Sequence, residues 1–150
     1  FGNCILCFIL LLMSRDRLLL ILAALVLAIF ALHIIALFLH LYWVLWWYDI
    51  IVHFLGGAFT GLLIVWLRYF SGYFGVPRIA ASEKELMFLI LVGTLVVGVG
   101  WEVFERVFGH TWSLEGYWLD TTVDVIMDIA GGITAFHFFR NRSVAHEQGA

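Results

Sequence analysis

The chain has 150 residues, of which 64% are hydrophobic and only 13% are charged, and its net charge at pH 7 is −3. Soluble domains are nearer half apolar and a quarter charged, so this composition excludes an ordinary soluble domain and predicts an integral membrane protein. The basic residues form no patch, and we expect no binding of nucleic acid. At this length we predict a single domain over residues 1–150.

The first segment, residues 1–13, is apolar but shorter than the ~20 residues that a helix needs to cross a bilayer. It predicts either an interfacial helix or the remnant of a longer segment. Cys4 and Cys7 form a C-x-x-C pattern within it, but no second pair completes a zinc site. We therefore interpret both cysteines as small apolar residues of this segment.

Four longer apolar runs follow, and they predict an all-α polytopic membrane protein with a bundle of four transmembrane helices. The predicted spans are about 18–42, 49–70, 85–108 and 119–139, with a polar cytoplasmic tail over residues 140–150. Ser82 and Glu85 have the spacing of a capping box and predict the start of the third span. Dense Trp and Tyr residues at 42–48 and 112–118 predict two turns at a membrane face.

The basic residues indicate how the spans are oriented. Seven of the eight fall at residues 14–17, at residues 68–84, or from residue 140 to the C-terminus, and Arg106 alone falls on the other side. Lys and Arg concentrate in cytoplasmic loops. We therefore predict a multi-pass protein of the cell (inner or plasma) membrane with both termini in the cytoplasm.

The acidic residues concentrate in the opposite, outer half of the spans. Asp49 and His53 are four residues apart on the second span, and Glu102 and Glu105 are three apart on the third. The fourth span carries a stripe of three carboxylates roughly 12 Å long, formed by Asp120, Asp124 and Asp128. Ionisable groups are costly in a bilayer and usually mark a site or a water-filled cavity. Their shared depth on three helices predicts one pocket that opens to the outer face.

This cluster has three interpretations. As a divalent cation site it would use His53, Glu102, Asp120 and Asp124 as ligands, with Asp49 orienting His53 and Arg106 helping to neutralise the carboxylates. Glu105 and Asp128 are the candidates for a catalytic base. Oxygen ligands suit Mg²⁺, Ca²⁺ or Mn²⁺, and a histidine also admits Zn²⁺. The alternatives are a hydrogen-bonded network that only fastens the helices and a relay for protons or a solute.

The order and spacing of these motifs resemble the VanZ-like and YjdF-like families of small membrane proteins. The resemblance covers roughly residues 45–135 and rests on Asp49-x-x-x-His53, Glu102-x-x-Glu105 and Asp120-x-x-x-Asp124 followed by Gly131-Gly132. VanZ-like proteins commonly have lysine where this chain has Ile50, and often a Glu–Gln pair where it has Glu102 and Glu105. The resemblance therefore favours the YjdF-like branch. These families have no settled activity, so the resemblance supports the site rather than a reaction.

The favoured hypothesis is a membrane protein with an outward-facing carboxylate and histidine site for a divalent cation, which would activate water against a lipid-linked or cell-envelope substrate. One alternative is a component of proton- or ion-coupled transport. Another is an accessory subunit of a larger membrane complex, or a homo-oligomer, assembled through glycine-rich helix faces. The sequence has no nucleophile elbow, P-loop or H-E-x-x-H motif, so it leaves open whether the protein is an enzyme.

Overall fold

The computed structural model describes residues 15–73, 82–108 and 116–145, with side chains described up to residue 140. These residues form helices α1 (Arg15–Leu39), α2 (Leu41–Val44), α3 (Tyr48–Tyr69), α4 (Glu83–Phe108) and α5 (Tyr117–Ala145). The predicted segment 1–13 with its two cysteines, and residues 146–150 of the predicted tail, lie outside the described residues.

Four of the helices are long and apolar enough to cross a membrane: α1, α3, α4 and the Tyr117–Arg140 part of α5. The shortest of them, α3, has 22 residues and is therefore roughly 33 Å long, enough for a hydrocarbon core of roughly 30 Å. On α1, large apolar side chains such as Leu27, Phe30 and Phe38 are exposed, as expected where lipid surrounds a helix. The prediction of an all-α protein with four long apolar helices is confirmed.

The ends of the helices follow from local chemistry. Helix α1 ends at Leu39, three residues before the predicted end of the first span, because His40 adopts a left-handed backbone conformation with φ 53°. The chain then forms the short helix α2 before α3 begins. At the start of α4, the Ser82 hydroxyl accepts a hydrogen bond of 3.1 Å from the backbone N–H of Glu85, as the capping pattern predicts.

Helix α3 lies at the centre of the bundle and packs against α1, α4 and α5, most closely against α5. Glycine makes this approach possible. A side chain at Gly57 would collide with the backbone of Asp128, and one at Gly131 would collide with the backbone carbonyl of Phe54. Small residues allow neighbouring helices in a membrane to approach to backbone contact. The α3–α5 contact therefore depends on having no side chain at these positions.

The two ends of the bundle differ in polarity. One end contains the apolar core, formed by the first turns of α1 and α4 and the later turns of α3 and α5. Its buried residues are Leu18, Leu22, Leu62, Val65, Leu86, Ile90, Ala135, Phe136 and Phe139. The first turns of α3 and α5 and the last turns of α4 form the other end and carry the residues of the predicted site. The fold therefore fills the interior of one half of the bundle with hydrocarbon side chains and brings the predicted site residues together in the other half.

Candidate metal centre

His53 is the centre of the polar half, and its side chain is only 4% exposed. Its Nδ1 lies 3.3 Å from Oδ2 of Asp128 on α5. Its Nε2 lies 3.7 Å from Oδ1 of Asp49 on α3 and 3.8 Å from Oε1 of Glu102 on α4. Carboxylates from three helices therefore surround one imidazole, as the helical spacing predicts.

The acidic stripe on α5 runs from the rim of the bundle into its interior. Asp120 is exposed, whereas Asp124 and Asp128, one and two turns further along the helix, are buried. On α4, Glu102 is buried and Glu105, nearer the end of the helix, is partly buried. Burial therefore separates carboxylates at the rim, which water can reach, from carboxylates that need a partner inside the protein.

Two hydrogen bonds hold the glutamates in place. The Thr121 hydroxyl donates to Oε2 of Glu102 at 2.7 Å, and the Trp101 indole N–H donates to Oε1 of Glu105 at 2.9 Å. Neither donor is among the site residues predicted from the sequence. Trp101 precedes Glu105 by one helical turn, so the i,i+4 rule could have identified it. Thr121 reaches Glu102 from another helix, a contact that no spacing within one helix reveals.

Two buried atoms of this cluster have no hydrogen-bond partner among the described residues: Nε2 of His53 and Oε1 of Glu102. Their separation of 3.8 Å is too long for a hydrogen bond between them. Two ligands bound tetrahedrally to one Zn²⁺ ion at about 2.1 Å lie roughly 3.4 Å apart. The gap between the two atoms is therefore close to the spacing that a shared cation requires.

Potential ligand atoms meet in two groups that share His53. One comprises Asp49, His53 and Asp124, and the other comprises His53, Glu102 and Glu105; within each group the atoms lie within 4.8 Å of one another. These buried His, Asp and Glu groups could hold a metal ion. The groups contain three of the four predicted ligands, together with Asp49 and Glu105, for which other roles were predicted.

Three other predicted site residues belong to neither group. Asp120 is exposed and belongs to neither group. Arg106 is also exposed, and its guanidinium carbon lies 4.4 Å from the centroid of the Tyr117 ring, a cation–π contact at the rim. Asp128, a predicted candidate base, is buried beside His53 Nδ1.

The short helix α2 places Tyr42 at the rim of the site. Burial, and next the nearby Asp49 and Glu105 carboxylates, raise the pKa of Tyr42 above its ordinary value. The phenol therefore stays protonated, and its hydroxyl can donate to Nδ1 of His33, 2.8 Å away. The His33 ring also packs edge-on against Trp101. These contacts join α1 and α2 to the helix that carries both glutamates.

Comparison with known proteins places these features in a family. Residues 3–143 match a family described as "Predicted membrane protein (DUF2238)". No curated protein and no solved structure matches the chain. Because the match covers nearly the whole chain, including all four long helices, the protein belongs to the DUF2238 family of predicted membrane proteins.

Proposed function

We propose that this protein binds a divalent cation between α3, α4 and α5, with His53, Glu102 and Asp124 as its central ligands. Asp49 and Glu105 complete the two groups of ligand atoms that share His53. Asp120 is an exposed carboxylate at the rim of the site, and a hydrated cation would pass it on the way to the buried ligands. The candidate ions are Mg²⁺, Ca²⁺, Mn²⁺ and Zn²⁺, because the donor set is several carboxylate oxygens and one imidazole.

The observation that carries this proposal is a pair of buried atoms, His53 Nε2 and Glu102 Oε1, that have no hydrogen-bond partner in the part of the chain that the structure describes. Leaving a buried polar group without a partner costs about 1–3 kcal/mol, and more if the group is charged. A hydrogen-bonded network that only fastened the helices would be expected to pair these atoms with each other. A cation bound between them satisfies both and also reduces the repulsion among the surrounding carboxylates.

The packing of the other half of the bundle favours a binding site over a transport path. On the side of the site that faces the apolar core, Gly98 and Gly57 lie against Asp128. The apolar core fills the bundle beyond these glycines. A proton or ion would have to cross this hydrocarbon region, which offers no continuous polar route among the described residues. Transport through one copy of the chain is therefore the weaker alternative.

The predicted orientation of the protein in the membrane suggests which class of substrate the site meets. The distribution of Lys and Arg favours cytoplasmic termini in the cell membrane, so the polar end of the bundle would face outward. Trp43, Trp46 and Trp118 are exposed near this end, as is typical of side chains at the lipid headgroups. A substrate carried on a lipid would meet the site at this depth. We therefore propose a lipid-linked or cell-envelope substrate for the cation-activated water.

The predicted resemblance to VanZ-like and YjdF-like proteins and the predicted partner remain part of this proposal. The sequence motifs that carry the resemblance are the same ones that supply the residues of the site. A partner protein or a second copy was predicted on glycine-rich faces, and several of those glycines pack inside the chain: Gly57, Gly61, Gly93, Gly98, Gly131 and Gly132. Among the described glycines within helices, Gly100 is exposed and has nothing within 4 Å of an added methyl group.

The test is elemental analysis of the full chain, purified in detergent, with its affinity tag removed and after incubation with each cation in turn. We expect one bound cation per chain in the wild type and none in Glu102→Gln, which removes a charged ligand but keeps its size. The matched control is Glu83→Gln, because Glu83 is exposed at the opposite end of the bundle. A wild type without bound cation, or equal cation content in both variants, would overturn the proposal.

A further inference from the structure

We propose that Asp128 is a positioning residue that holds His53 with Nε2 facing the cation, and that the site thereby selects Zn²⁺ over Mg²⁺ and Ca²⁺. This inference rests on the proposed function and narrows its ligand from a divalent cation to a transition metal. It also assigns Asp128 a role different from that of catalytic base.

The Asp128 carboxylate influences which nitrogen of His53 carries the proton. A neutral imidazole has one N–H donor and one nitrogen with a free lone pair. The Asp128 carboxylate can only accept a hydrogen bond, and its Oδ2 lies 3.3 Å from Nδ1. This contact favours the proton on Nδ1. The lone pair is then on Nε2, the atom that faces Asp49 and Glu102 without a hydrogen-bond partner among the described residues.

Helices α3 and α4 hold the Asp128 carboxylate in this position. Asp128 is only 6% exposed, because α3 and α4 enclose its side chain. A methyl group at Gly98 on α4 would collide with Oδ2 of Asp128. On α3, Gly57 lies against the Asp128 backbone, and a methyl group at Gly56 would be at ordinary contact distance, 3.6 Å, from Oδ1. Gly98 therefore leaves space for the carboxylate, and Gly57 lets the α5 backbone that carries it approach α3.

A histidine oriented in this way favours one class of cation. Imidazole nitrogen suits Zn²⁺, whereas Mg²⁺ and Ca²⁺ prefer oxygen ligands. An ion that bound only the carboxylates would leave the buried Nε2 lone pair without a partner. A histidine held by a second carboxylate is a stronger and better oriented ligand, and losing such a partner typically weakens metal binding about 10- to 100-fold. Asp128 therefore contributes to Zn²⁺ affinity in a way that Mg²⁺ and Ca²⁺ do not share.

The test compares the Zn²⁺ and Mg²⁺ affinities of the full chain in detergent by isothermal titration. The variants are Gly98→Ala, which displaces the Asp128 carboxylate without changing charge, and Asp128→Asn, which keeps its size. Gly100→Ala is the matched control, because it adds the same methyl group to the same helix where nothing lies within 4 Å. We expect the Zn²⁺-to-Mg²⁺ affinity ratio to fall about 10-fold or more in the first two variants and to stay at the wild-type value in the control.

The Zn²⁺-to-Mg²⁺ affinity ratio distinguishes a positioning role of Asp128 from a merely structural one, because a loosened helix bundle would weaken the binding of both ions alike. If Gly98→Ala does not fold, Asp128→Asn and the ¹⁵N spectrum of wild-type His53 still decide the question. The Zn²⁺-loaded protein should show a protonated Nδ1 and a metal-bound Nε2. An unchanged ratio in the variants, a wild type without Zn²⁺ preference, or a doubly protonated His53 in the presence of Zn²⁺ would overturn this inference alone. A wild type that binds none of Mg²⁺, Ca²⁺, Mn²⁺ and Zn²⁺ would overturn the proposed function as well.

Discussion

Replacing Asp124 with asparagine should remove most of the stability that a bound cation provides. Asp124 is 3% exposed and shares a group of ligand atoms with Asp49 and His53. Asparagine has nearly the same size and still offers an oxygen, so the packing of α5 should be retained. What the change removes is one negative charge beside the proposed cation.

The magnitude follows from mass action. A ligand that binds only the folded protein and is present at 100 times its Kd stabilises it by about 2.7 kcal/mol. If Asp124→Asn weakens binding about 100-fold, the same cation concentration equals the new Kd and contributes only about 0.4 kcal/mol. The difference of about 2.3 kcal/mol corresponds to a loss of about 5–9 °C in the cation-induced rise of Tm for a chain of this size.

The assay is thermal unfolding in detergent across a cation titration, with a chelator defining the zero point. Asp120→Asn provides the comparison, since Asp120 lies one turn earlier on the same helix but is exposed. We expect it to keep the wild-type gain, whereas an equal loss in both variants would restore Asp120 as a ligand. The reasoning fails if the wild type is indifferent to every cation while Asp124→Asn raises its Tm. Relief of like-charge crowding would then explain the cluster as a structural network.

Three further predictions test the surroundings of the site. Thr121→Val removes the hydroxyl that donates to Glu102 and should weaken cation binding about 10-fold. Thr122→Val should leave cation binding unchanged, because the Thr122 hydroxyl donates to a backbone carbonyl of its own helix. Titration calorimetry measures the cation affinity of both variants, and equal effects would contradict the role of Thr121. Gly57→Ala should destabilise the protein by about 1–3 kcal/mol in denaturant unfolding, because its methyl group meets the α5 backbone; unchanged stability would contradict this close packing. A cysteine at position 113, in a background without native cysteines, should react with a membrane-impermeant reagent from outside the cell, and labelling only from the cytoplasmic side would reverse the proposed orientation.

Much of the fold could be predicted because membrane spans are determined by local composition. Runs of about 20 apolar residues must form helices in hydrocarbon, where every backbone group needs an internal partner. The ends of the helices were less predictable. The left-handed conformation of His40, which ends α1 early, is rare for a residue other than glycine, and no motif around His40 indicates it.

Part of the candidate site could also be predicted. The i,i+4 spacing of Asp49 and His53 places them on one face, and the matching depth of Glu102 and Asp124 on other helices predicts that they approach the same imidazole. The same reasoning made both Asp120 and Asp124 metal ligands. In the structure Asp124 is buried beside His53 whereas Asp120 is exposed. The spacing along one helix could not predict this difference, because it gives no information about where the neighbouring helices end.

The sequence by itself determined that the protein spans a membrane, that it is helical, and that the acidic residues of the candidate site share one half of the bundle. These properties depend on composition and helical periodicity, which each segment carries independently of its neighbours. Only the tertiary structure decided which carboxylate faces which nitrogen of His53, which buried atoms lack a partner, and that Gly98 and Gly57 make room for Asp128. Those relations depend on the distance and rotation between helices, which are set by the packing of all four long helices together.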